Sequence, residues 1–66
     1  MKRTLSPRET DVCKAIVAGR QNKEIARDHG LSVGTIKTHI DNMLRKTGVR
    51  NRVELAVWAV RNGILH

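Results

Sequence analysis

The stretch "NKEIARDHGLSVGTIKTHID", residues 22–41, holds two helical patterns with almost nothing between them. Asn22 offers an N-cap, Ile25, Ala26 and His29 share one face, and Gly30 supplies a left-handed stop. Only Gly30 and Leu31 precede Ser32, a further N-cap, so the spacing predicts a short helix over 22–29 and a tight turn into the next. This is helix-turn-helix spacing. The next helix is expected over about 33–47, with Val33, Ile36, Ile40, Met43 and Leu44 on one stripe of a 3.6-residue period and Gly48 beyond its end. Its opposite face carries Gly34, Thr35, Thr38, Asp41, Asn42 and Arg45, with Lys37 on the flank.

Outward from this unit, "LSPRE" starts a first helix over about 7–18. Ser6 stands at its N-cap, Pro7 at its first position and Glu9 where a capping box closes. Val12, Cys13, Ile16 and Val17 form its apolar stripe. "NRVE" repeats the capping logic with Asn51 and Glu54, and starts a last helix over about 52–62, stopped by Gly63. The expected fold is all-α, four helices in a single domain over residues 1–66, with fraying confined to Met1–Thr4.

Composition agrees with that architecture. A 66-residue chain forms one small core, and 39% hydrophobic content with Trp58 as its single aromatic fits helices better than strands. Thirteen Lys and Arg against six Asp and Glu leave a charge of +7, which attracts polyanions, nucleic acid first among them. The longest apolar run, Leu55 to Val60, is far too short to span a bilayer, and Pro7 and Glu9 interrupt any signal-peptide pattern. The expected location is therefore the cytoplasm, with no membrane partner. Cys13 is alone, and no Cys/His spacing suits a metal.

Catalytic chemistry finds no support: there is no phosphate-binding Gly-rich loop, no nucleophile-and-base spacing and no carboxylate pair. His39 and His66 read as solvated or structural, and His29 is expected to be mostly buried against Ile25 and Ile16. No cofactor is expected. The polar face of the third helix reads differently. Glycine and threonine in its first turn let backbone and free N–H groups approach phosphates, while Lys37 and Thr38 reach base edges in a DNA groove. A solvated face can have the same composition. The surroundings favour DNA, because residues 20–52 hold eight basic side chains against three acidic ones. Lys23, Arg50 and Arg52 are placed for phosphates on either side of the groove, and Arg45 lies on the same polar face.

The last helix carries two apolar stripes, one of Val53, Ala56, Val57 and Val60 and another of Leu55, Trp58 and Ala59, which Asn62 continues. One small core covers only one of them. The first is expected inside, and the second against another copy of the chain.

Several motifs in order, "LSPRE", "NKEIA", "LSVGTIKTHI", "KTGV" and "RVELA", spread over residues 5–60, make the chain resemble the LuxR-type (GerE-type) helix-turn-helix domain of quorum-sensing and NarL/FixJ-class regulators. The resemblance implies bacterial transcription regulation by a homodimer bound to double-stranded DNA, with residues 22–41 as the motif and the last helix as the dimer contact. By position it implies base contacts from Lys37, Thr38 and Asp41, and phosphate contacts from Lys23, Thr35 and Arg52. Five positions depart from the family pattern. Arg20 and Gln21 replace an apolar residue and Ser or Thr, His29 and Cys13 each replace Leu, and Asp41 stands where relatives often carry Lys. Two other readings have the same helical frame: a module like region four of sigma factors, with RNA polymerase as partner, and a dimerising antagonist of a longer regulator.

Overall fold

The computed structural model describes residues 5–64, and among them there are four helices and no strand: α1 (Pro7–Val17), α2 (Asn22–His29), α3 (Val33–Thr47) and α4 (Arg52–Arg61). The expected fray at Met1–Thr4 and the terminal His66 lie outside the described residues. The helix bounds agree with the expected ones to within a residue at each end, and the N-caps of α1, α3 and α4 form as anticipated. Ser6 accepts from the Glu9 N–H at 3.2 Å while Glu9 Oε1 accepts from the Ser6 N–H at 2.9 Å. Ser32 and Asn51 cap α3 and α4 in the same way, accepting from the Thr35 and Glu54 N–H groups.

At α2 the cap differs from expectation. Gln21, not Asn22, is the extended residue at the N-cap, and its N–H donates to Glu24 Oε1 at 2.9 Å. Asn22 is thereby released into the first turn, where its side chain accepts from Arg52. Gly30 closes α2 at φ 66°, a conformation costly for a residue with a Cβ, and so permits the tight turn into α3.

Helix α1 packs on α3 and α4, α2 on α3, and α3 on α4. The core is aliphatic: Val12, Cys13 and Ile16 from α1, Ile25 and Ala26 from α2, Ile36, Ile40 and Met43 from α3. From α4 it takes Leu55 and Ala59, both at 0% exposure, while Val53, Val57 and Val60 lie outside at 74%, 46% and 52%. This inverts the expected assignment of the two stripes. Leu55 and Ala59 are interior residues and cannot line a contact between copies while the domain stays folded. Val33, expected inside, is exposed in the first turn of α3. His29 is intermediate in exposure, and the Arg8 guanidinium approaches its Nδ1 at 3.2 Å, a polar neighbour that its spacing in the sequence does not announce.

One carboxylate ties α1 to the end of α3. Glu9 is buried, and the Lys46 ammonium donates to its Oε1 at 2.7 Å beside the Ser6 N–H. Burial alone would raise its pKa, but the bonds from Lys46 and Ser6 outweigh that and hold the carboxyl below its ordinary value. A lowered folded-state pKa stabilises the fold above the ordinary carboxylate range and loses that contribution as pH falls through it. Glu9→Gln is therefore expected to lower stability at neutral pH by about 1–2 kcal/mol, the half-exposed lysine tempering the effect, and to flatten the acid side of the stability profile. Urea titrations of both proteins at neutral and acid pH measure the difference.

Candidate nucleic-acid interface

Helix α3 is positioned from beneath. Ile36, Ile40 and Met43 anchor it in the core, so Gly34, Lys37, Thr38, Asp41 and Arg45 fall together within about a third of its circumference on the outer side. All five are exposed. This arc includes the three residues expected at base edges, Lys37, Thr38 and Asp41. The Thr38 hydroxyl donates to the Gly34 carbonyl at 3.1 Å, which orients its methyl group and oxygen without committing its remaining hydrogen-bonding capacity. Lys37 has no polar partner among the described residues. Its ammonium is free to move.

Gly34 has ordinary helical backbone geometry, and a Cβ built there meets only Ser32 Oγ, at 3.8 Å. Internal packing gives no reason for a glycine at this place. Without a Cβ it leaves the exposed first turn of α3 flat. Thr35 lies beside it with its hydroxyl 2.9 Å from that of Ser32, so the cap and the threonine form one small polar cluster at the helix start.

The residues expected at phosphates divide into two groups. Lys23, in the first turn of α2, is exposed; Arg45 is exposed and its guanidinium donates to Asn42; Arg50 is exposed in the α3–α4 connection, 3.5 Å from Glu54 Oε2. Each can turn its charge outward with little loss. Arg52 cannot. Its guanidinium donates to Asn22 Oδ1 and to the Arg20 carbonyl at 2.6 Å, both part-buried, so its first role is to join the start of α4 to the start of α2. Arg20 in turn pairs with Asp28.

Of the residues expected between copies, Trp58 is half-buried against the core and Asn62 is exposed, its side-chain amide donating to the Trp58 carbonyl at 2.8 Å. Leu55 and Ala59 are buried, and the exposed apolar residues of α4 are Val53, Val57 and Val60. These three line shallow hollows together with Val49, Val17, Ala56 and Arg61. Their spacing marks them in the sequence as an apolar stripe, but not as the one left outside. Among the described residues no group of His, Cys, Asp and Glu could hold a metal, and no helix is long and apolar enough to cross a membrane.

Compared with known protein families, the chain matches "Bacterial regulatory proteins, luxR family" over residues 3–59. The chain belongs to the luxR family. Among curated relatives, the nitrate/nitrite response regulator protein NarL of Escherichia coli (strain K12) is 46% identical over 54 residues, covering 82% of this chain and 25% of that protein. The transcriptional regulatory protein MctR of Rhizobium johnstonii is 43% identical over 61 residues, covering 92% of this chain and 28% of that protein. LiaR of Bacillus subtilis, also a transcriptional regulatory protein, is 38% identical over 63 residues, covering 96% and 30%. The chain thus spans under a third of the length of these relatives. Membership of the luxR family makes it a DNA-binding regulatory domain and not an enzyme.

Proposed function

We propose that the chain binds specific double-stranded DNA as a pair of identical copies, α3 lying in the major groove of each half-site, and so regulates transcription on the bacterial nucleoid. The observation that carries this reading is the outer arc of α3. A helix fits the major groove, and this one presents a flat glycine turn, a hydroxyl, a carboxylate and two cations on one exposed side. Lys37, Thr38 and Asp41 face bases; Lys23, Thr35, Arg45 and Arg50 face phosphates. Arg52 holds the frame that presents them.

Pairing of copies is supported by α4. Val53, Val57 and Val60 follow one another at helical spacing on an exposed face, which in a 66-residue domain is a large share of the apolar surface left uncovered. A single domain makes few base contacts, and two copies on adjacent half-sites multiply them.

The roles separate in a competition assay between a selected duplex and unrelated DNA. Lys37→Ala is expected to relax preference at one base pair by about 1–3 kcal/mol, whereas Lys23→Ala weakens every sequence alike. Equal loss on both duplexes for Lys37→Ala would make Lys37 a phosphate contact.

A further inference from the structure

We infer that Asp41 selects a cytosine: its carboxylate accepts a hydrogen bond from the cytosine 4-amino group in the major groove and excludes other bases at that position. This rests on the DNA-binding reading above and adds to it the identity of one base.

Asp41 sits at the middle of the outer arc of α3, with Lys37 one turn before it and Arg45 one turn after. Neither cation engages it. Arg45 donates to Asn42 instead, and the ion pairs among the described residues are Arg20–Asp28, Lys46–Glu9 and Arg50–Glu54. Glu24 caps the start of α2. Asp41 is thus an acid on the exposed arc with no hydrogen-bonding partner among the described residues, on the side of the molecule offered to a polyanion. Nothing in the fold calls for it, since aspartate is a weak helix former and the side chain is exposed, without a hydrogen bond or ion pair among the described residues.

In a groove, an unpaired carboxylate is repelled by phosphates and by every acceptor on the base edges. Guanine offers N7 and O6 and thymine O4, all acceptors. Adenine has a donor at N6, but its N7 acceptor stands beside it, an arrangement that suits an amide and not a carboxylate. Cytosine offers the 4-amino donor with no acceptor of its own beside it on that edge. Lys37, one turn earlier, suits the acceptors of a guanine. Asp41 therefore works largely by exclusion, lowering affinity for every site that lacks the amine.

The test begins with selection from a random duplex library by the 66-residue chain and by Asp41→Ala and Asp41→Asn, both expected to keep wild-type helicity by circular dichroism because the position is exposed. The wild type should enrich a C·G pair at one position of each half-site. Asp41→Ala should lose preference there alone while binding unrelated duplexes more tightly, and Asp41→Asn should move the preference toward A·T. Replacing the selected cytosine by 2-pyrimidinone, which lacks the amine, should weaken wild-type binding about tenfold and leave Asp41→Ala unaffected. A motif that Asp41→Ala leaves unchanged, or a 2-pyrimidinone duplex that the wild type binds as before, overturns the assignment of Asp41 alone. Failure of the wild type to select any motif overturns sequence-specific binding as well.

Discussion

Leu55→Ala is expected to destabilise the domain by about 2–5 kcal/mol, whereas Val57→Arg, two residues further along α4, should leave folding nearly unchanged and remove cooperative binding to paired half-sites. Leu55 is fully enclosed, and truncating it opens a void in a core that has few large side chains to close it. A domain of this size has only roughly 3–10 kcal/mol to lose, so a large part of the Leu55→Ala protein should be unfolded at physiological temperature. Val57 is 46% exposed, and an arginine there keeps its charge in water until a second copy approaches. Thermal melts separate the first effect from the second. Binding isotherms on one and two half-sites then show whether Val57→Arg retains single-site affinity while losing the steep two-site response. Equal cooperativity in Val57→Arg and wild type would place the contact between copies elsewhere.

Salt should act even more strongly. Lys23, Arg45 and Arg50 are exposed and held only by weak surface partners or none, so on DNA each can displace a condensed counterion. Two copies with three such cations apiece give on the order of six phosphate contacts, for which affinity should drop by about a thousandfold between 50 and 200 mM salt. The plot of log affinity against log salt should be linear. Arg50→Ala should reduce its slope by about one unit for each copy bound, and Arg52→Ala should change stability more than slope, because its guanidinium is engaged internally. A salt-independent affinity would remove phosphate neutralisation as the source of binding.

Much of the fold was legible because its punctuation is chemical. Ser6, Ser32 and Asn51 cap as their side chains require, Gly30 and Gly48 adopt the positive φ that ends a helix, and the α3 stripe of Ile36, Ile40 and Met43 has no competing pattern. The outer arc of α3 follows from that stripe by subtraction. Helix α4 was different. Both of its faces are apolar, so period alone could not say which one meets α1 and α3, and the core took Leu55 and Ala59 while the valines stayed outside. Contacts between residues distant in sequence were hidden for another reason. The bond from Arg8 to His29 spans 21 positions and that from Arg52 to Asn22 spans 30, and neither leaves a mark in local spacing. A basic residue reads as a surface cation until the packing shows what its donors reach.

The Arg52 guanidinium also fixes a length. It fastens the first residue of α4 to the first residue of α2 and to the carbonyl of Arg20, and α2 and α4 both pack on α3. With α4 pairing the copies and α3 reading the bases, as proposed, the distance between the two reading heads is a property of one solid piece and works like a fixed-jaw calliper. DNA must then conform to the protein's gauge. One base pair inserted between half-sites moves the second by about 3.4 Å and turns it by about 34°, more than a surface contact between short side chains can follow. Such an insertion leaves only one jaw seated, while a domain with its pairing helix on a loose tether would tolerate it.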